Sequence, residues 1–369
     1  MKIGVISLPL HTNYGGILQA YALQTVLQEM GHEVVLLDNY PQCPSLRPFP
    51  IQQLAYLKRL IRNCILPHKS IPIFIEKNDI NNFMKMEHIR QFYRQHILNF
   101  PFSNASSLEF AGFDAFVVGS DQVWRPLYNS KIYDAYLAFT ENWPQVKRVA
   151  YAVSFGSDEW EYTKEQTFEC KRLVHKFDAI SLREISGVQL CKQYFDISAS
   201  LVLDPTFLLD IKCYKAHIAN SKIEYPPSMC LGYILDDTHE KKDLLKSIAT
   251  FLDYDLIEFK NVDSINNRIA PTVESWLKAL HNASFVFTDS FHGCVFSIIF
   301  KRPFIVYGNR ERGMARFYSL LRIFGLESRL VTNRDEALKI IKVPIDWESV
   351  NNIMNQMKDI SLNFLRVNL

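Results

Sequence analysis

The sequence predicts an α/β protein made of two doubly wound units that face one another across a cleft. Three observations carry this. Short apolar, β-branched runs alternate with longer segments of helical spacing, the signature of parallel sheets with crossover helices. The runs are continuously apolar rather than alternating, as strands covered on both faces must be. The pattern occurs twice, once before residue 210 and again after residue 229, with Pro226 and Pro227 punctuating the join. The expected units are residues 1–215, with a helical insertion near 41–105, and residues 216–369. A last amphipathic stretch, 350–365, has the length to pack back on the first unit.

The first strand falls on residues 2–8. A helix follows from Gly16, with Ile17, Ala20, Tyr21, Leu23, Gln24, Leu27 and Met30 at helical spacing and Gly31 as its stop. Residues 33–37 supply a second strand. Prolines at 41, 44, 48 and 50 then break the pattern before helical stretches around 52–62 and 78–95 that carry many Lys and Arg. A solvated helix face is the commoner reading of such charges; contact with an acidic ligand or a membrane surface is the other. Strands resume at 115–118, 148–153, 179–182 and 201–203. In the second unit they are expected at 231–235, 256–259, 285–288 and 304–307, with helices at 241–252, 273–283, 293–300 and 314–324. Such units place a cleft at the carboxyl ends of both sheets.

Composition narrows the function classes. The 369 residues are 48% apolar and 22% charged, enough to bury a large core. Forty-one Lys and Arg against 39 Asp and Glu argue against a protein that coats nucleic acid. No apolar run approaches the ~20 residues of a spanning helix, and the N-terminus does not read as a secretory signal. Seven Cys without C-x-x-C spacing fit small buried hydrophobes in a reducing compartment, so a cytoplasmic setting is expected. No regular Cys/His set or H-E-x-x-H motif appears, so no metal site is expected, and no G-x-S-x-G elbow points to acyl hydrolysis.

Ligand groups in such folds come from the turns just after strands. After the first strand, Asn13, Gly15 and Gly16 permit close backbone approach at a helix start, suited either to an anion or simply to tight packing. Asp121, in Val118-Gly-Ser-Asp-Gln-Val-Trp124, either meets a sugar hydroxyl or serves as a base, or caps a short helix. Arg183 has the planar fork for phosphate or carboxylate, unless it pairs with Glu184 or another acid. Asp204-Pro-Thr206 reads as a strand-ending turn or a ligand-facing carboxylate. In Thr288-Asp-Ser-Phe-His-Gly293, Ser290 and His292 sit at a helix opening, where a proton donor or phosphate partner belongs. Arg310, Arg312 and Arg316 follow the next strand. These turns describe a cleft for a small phosphorylated or carboxylated substrate, without naming a reaction.

As a set, Asn13-Tyr-Gly-Gly-Ile-Leu-Gln-Ala-Tyr-Ala-Leu-Gln24, Gly119-Ser-Asp-Gln-Val-Trp124, Ser181-Leu-Arg-Glu184, Asp204-Pro-Thr206, Thr288-Asp-Ser-Phe-His-Gly293 and Pro303-Phe-Ile-Val-Tyr-Gly-Asn-Arg310 resemble the polysaccharide pyruvyl transferase family, over residues 1–325. The resemblance implies two Rossmann-like halves in a glycosyltransferase-B-like arrangement. It also implies transfer of the enolpyruvyl unit of phosphoenolpyruvate onto sugar hydroxyls of a cell-surface polysaccharide or its lipid-linked precursor. The product would be a pyruvate ketal, made without a cofactor and at or near the inner membrane face. By position, Arg183 matches the family arginine that contacts phosphoenolpyruvate. His292 matches its catalytic or ligand-binding histidine, and Arg310 falls near a basic position. Asp121 is the candidate for acceptor binding or base work. One departure stands out: family members often carry Arg where this chain has Ser290, so that either Arg310 or Arg312 substitutes for it or the donor binds differently. Two rival readings are a nucleotide-sugar glycosyltransferase and an inactive binding protein of glycan assembly.

Overall fold

The computed structural model describes residues 1–10, 13–38, 43, 48–65, 73–102, 108–109, 111–259, 269–308 and 314–369. In chain order these form β1 (Lys2–Ile6), α1 (Tyr14–Glu29), β2 (Glu33–Leu37), α2 (Phe49–Ile65), α3 (Ile75–Lys85), α4 (Glu87–His96), β3 (Asn99–Phe100), β4 (Ala115–Val118), β5 (Lys147–Val153), α5 (Lys164–Val174), β6 (Ala179–Leu182), α6 (Ile185–Leu190) and β7 (Ser200–Leu201). Next come α7 (Ile211–Ala219), β8 (Met229–Tyr233), α8 (His239–Leu252), β9 (Asp255–Glu258), α9 (Val273–Asn282), β10 (Phe285–Thr288), α10 (Phe291–Ile299), β11 (Phe304–Tyr307), α11 (Ala315–Phe324), β12 (Leu330–Val331), α12 (Arg334–Ile340) and α13 (Trp347–Asn368).

The strands form two wholly parallel sheets, ordered β3-β2-β1-β4-β5-β6-β7 and β12-β11-β10-β8-β9. In each, the strand order reverses once: between β1 and β4 in the first, between β8 and β10 in the second. Loops leaving the carboxyl ends of strands diverge at such points and leave a crevice.

Local chemistry explains why the main elements start and stop where they do. Asn13 caps α1, its side-chain oxygen accepting from Gly15 N at 2.9 Å and Gly16 N at 3.4 Å, donors that a helix start otherwise leaves open. Gly31, at φ +90°, ends the helix and turns the chain into β2. The stretch expected as one helix over 78–95 is broken at Met86, whose φ of −89° and ψ of 12° leave the helical region. Short strands such as β3 and β12 have too few residues to show a pattern in sequence. The strand expected at 201–203 is cut to Ser200–Leu201, because Leu203 N turns to Ser361 Oγ at 2.9 Å.

That bond belongs to α13, which returns from the second sheet to the first; Phe364 also packs beside Tyr151, ring centres 6.1 Å apart. One apolar cluster runs without a break from Ile3 and Leu23 in the first half to Trp276, Phe296 and Phe304 in the second. Among the described residues no helix is long and apolar enough to cross a membrane.

Candidate functional site

Both reversal points open on one cavity of about 230 Å³. Leu8, Pro9, Leu10, Asn13 and Gly16 reach it from β1, Asp121, Gln122 and Tyr128 from β4, Leu235 from β8, and Asp289, Ser290, Phe291 and His292 from β10; Arg316 enters from α11. Two helix starts meet here, α1 from one sheet and α10 from the other. Ser290 caps α10 by accepting from Gly293 N at 3.3 Å. Helix starts of this kind present partial positive charge and unpaired N–H groups to an anion.

The two starts touch directly. A Cβ on Gly15 would lie 2.0 Å from His292 Nδ1, so only glycine leaves room for the imidazole. Tyr14 fixes the approach: its ring stacks on Trp276 at 5.7 Å and its hydroxyl donates to Pro271 O at 2.7 Å.

Behind the cavity wall lies a buried charge network. Arg183, with its side chain 1% exposed, donates from Nη1 to Asp204 Oδ2 at 2.7 Å and from Nη2 to Asp121 Oδ1 at 3.0 Å. Its guanidinium lies 4.4 Å from the centre of the Phe291 ring. Asp204 Oδ2 also accepts from Ser120 Oγ at 2.9 Å and sits 3.8 Å from His292 Nε2, while Oδ1 accepts from Thr206 N and Oγ1. Burial works to raise the Asp204 carboxyl, but His292 and Arg183 outweigh it and hold it well below the usual carboxylate range. For Asp121 burial is likewise outweighed, by Arg183 first and then by His292 and Arg316. Glu184 is the opposite case: burial dominates and pushes its carboxyl up. Arg316 is brought down to about 10 by burial and by the like charge of Arg183.

The backbone bends to hold this network. Asp121 adopts φ +76° and Ala152 φ +52°, and β5 slips register between Ala150 and Val153 where Val153 bridges to Asp121. Ser181 Oγ fills the slip, donating to Ala150 O at 3.0 Å and accepting from Ala152 N at 3.1 Å. Positive φ at non-glycine residues costs free energy and persists only where surrounding contacts enforce it.

The sequence profile of the polysaccharide pyruvyl transferase family matches residues 13–311, which hold Asp121, Arg183, Asp204, Ser290 and His292. The chain belongs to this family. No functionally curated protein matches the chain. Among solved structures, UDP-GlcNAc 2-epimerase of Neisseria meningitidis bound to UDP-GlcNAc superposes with a TM-score of 0.53 at 10% identity, over 100% of both chains. UDP-N-acetylglucosamine 2-epimerase of Rickettsia bellii gives 0.51 at 10% identity, over 99% of this chain and 95% of that one. At such identity the likeness concerns the fold alone: two Rossmann-like halves in a glycosyltransferase-B-like arrangement, within a family of transferases.

In this pyruvyl transferase family member, Asp121, His292, Ser290, Asn13 and Gly16 line the cavity and Gly15 backs His292. The side-chain oxygens of Asn13 and Ser290 are also engaged as helix caps. Arg183 is not a lining residue; it stands behind the wall, paired with two acids, because Asp121 and Asp204 flank it from neighbouring turns. Arg310 and Arg312 lie outside the described residues. Among the described residues the arginine that reaches the cavity is Arg316, held in place as Ser319 of the same helix accepts from Ile185 N at 2.9 Å, beside the Arg183 turn. The role of Asp204 at the centre of the network was not legible in the sequence, since its links to Ser120, Arg183 and His292 are all long-range. A second cavity of about 240 Å³ shares Leu8, Pro9 and Tyr128 with the first and adds Asp38, Phe102, Asn129, Ser130, Lys131 and Asp134.

Proposed function

We propose that this protein transfers the enolpyruvyl unit of phosphoenolpyruvate to two hydroxyls of one sugar in a cell-surface polysaccharide or its lipid-linked precursor, releasing phosphate. One observation carries the reading: two helix starts, Arg316 and His292 converge on one cavity. That concentration of positive charge and N–H donors suits a compact dianion. Arg316 and the α1 and α10 starts hold the phosphate and carboxylate. Arg183 is then a positioning residue that keeps Asp121, Asp204 and Phe291 in place. Ser290 leaves open the space that an arginine side chain would fill, and Arg316 supplies the charge from another element.

In the reaction His292 protonates the methylene carbon and an oxocarbenium-like centre forms at C2. The first hydroxyl adds there and loses its proton; phosphate departs; the second hydroxyl adds and loses its own. One of the two released protons replaces the one delivered to carbon, and the other leaves with phosphate. Asp121, held ionised, is a weak base, and a weak base suffices because each hydroxyl becomes strongly acidic as it bonds to the cationic carbon. The second cavity, with Tyr128 and Phe102 beside polar groups, offers the acceptor sugar an aromatic surface and hydrogen-bond partners.

Calorimetric titration tests the donor. Phosphoenolpyruvate should bind saturably, and Arg316→Ala should weaken it about 10- to 100-fold. Binding of a nucleotide sugar alone would replace this reading with glycosyl transfer, and no donor binding even with acceptor present would favour an inactive binding protein.

Helix α2 supports an acceptor at the inner membrane face. Its Gln52 and Tyr56 are buried, while Ile51, Leu54, Leu57 and Ile61 are exposed on the other side with Lys58 and Arg62 beside them. An outward apolar stripe edged by cations is the pattern of an interfacial helix. The protein should sediment with anionic vesicles, and Leu54→Ser/Leu57→Ser should reduce the bound fraction several-fold; unchanged sedimentation removes the membrane contact.

A further inference from the structure

Away from the cavity, three helices bring His96, His217 and Glu274 together so that one ligand atom from each lies within 4.8 Å of the others. We propose that these residues bind a divalent transition cation, zinc by choice, as a structural clip between the two halves. Spacing in the sequence hides the set, because each member comes from a different part of the chain: α4 before β3, α7 between the sheets, α9 within the second half. Two nitrogens and one carboxylate oxygen are borderline donors that suit zinc and disfavour magnesium or calcium, which take oxygen ligands. A tetrahedral site with bonds near 2.0–2.1 Å has ligand edges of about 3.3 Å, so the side chains need close by only an ångström or so.

The surroundings favour a cation. His96 is the last residue of α4 and His217 lies in the last turn of α7, so both imidazoles stand where helix ends gather negative partial charge and unpaired carbonyls. Among the described residues no Lys or Arg pairs with Glu274. The His217 ring is already oriented, with Tyr21 Oη 3.1 Å from its Nε2, the kind of outer hydrogen bond that metal-bound imidazoles carry. Phe92, 4.5 Å from the His96 ring centre, and Tyr21, 5.2 Å from that of His217, shield one side from water. The rival explanation is a purely packed cluster of rings, with His96 and His217 edge to face at 4.7 Å.

The test uses the full chain, free of any histidine tag, stripped with EDTA and titrated with zinc chloride by calorimetry. One zinc per chain should bind with a dissociation constant below about 1 µM and raise the melting temperature. Glu274→Gln and His96→Asn, each checked for folding by circular dichroism, should bind about 100-fold more weakly. X-ray absorption of the zinc-loaded wild type gives a readout that does not depend on variants folding: two imidazole nitrogens with light-atom ligands support the site. A sulfur shell would place the metal on cysteines and overturn it. So would equal binding by wild type and variants, or no saturable binding at all.

Discussion

Replacing Arg183 with Leu is expected to lower folding stability by about 3–5 kcal/mol and to abolish turnover. The guanidinium touches no part of the cavity, so the loss is one of support. Without it Asp121 loses its principal countercharge and Asp204 one of its two, leaving Asp204 with Ser120, Thr206 and a histidine 3.8 Å away. Arg183→Lys restores the charge but not the fork that reaches Asp121 and Asp204 at once, so it should recover part of the stability. The pH dependence has a definite sign. Both carboxyls titrate lower in the folded protein than in the unfolded chain. Their contribution is therefore fully present above about pH 4, where unfolded carboxylates are ionised, and is lost as pH falls through the depressed folded values. The gap between wild type and Arg183→Leu in urea unfolding should be widest at neutral pH and narrow below pH 4. A variant within 1 kcal/mol of wild type at pH 7 would mean the two acids do not depend on Arg183.

Gly15→Ala is expected to cut turnover about 100-fold while the protein stays folded, because a displacement near 1 Å at a reacting group costs that much. The new methyl would stand 2.0 Å from Nδ1, 2.1 Å from Cγ and 2.5 Å from Cβ of His292, so no rotation of the ring alone relieves it. Either α1 or the α10 turn must shift, at a stability cost of about 1–3 kcal/mol. Gly16→Ala is the comparison: its Cβ meets nothing nearer than 3.5 Å, so the change should be neutral or mildly stabilising in thermal unfolding. Near-equal thermal stability and turnover of Gly15→Ala and wild type would show that His292 does not rest on the glycine.

The sequence reading went furthest where local chemistry decides. β10 and β11 fall on the expected residues because the continuous apolar runs 285–287 and 304–307 leave little choice, and Asn13 and Ser290 sit at helix starts as their residue types demand. The same reading stopped where distant turns meet. The turns that hold Asp121, Arg183 and Asp204 were each visible, but their union depends on β4, β6 and the chain after β7 ending side by side. Arg183 could therefore be read as a ligand contact when its fork is filled by protein carboxylates. Arg316 stood among three similar arginines after β11, and what brings it to the cavity is the placement of α11 against the Arg183 turn. Asp121 carries a left-handed φ that no residue pattern announces; it arises from the register slip in the neighbouring strand.

Helix α13 has a mechanical consequence. The chain crosses between the halves on the way into β8 and returns along α13 to the first sheet, and Tyr14 stacked on Trp276 adds a buried rivet between them. Two such fastenings oppose a jaw-like opening of the cleft. Under the proposed function, a bulky glycan would meet the protein from outside, offering one sugar edge at a narrow slot, and repeat length beyond that edge would leave the rate of transfer unchanged.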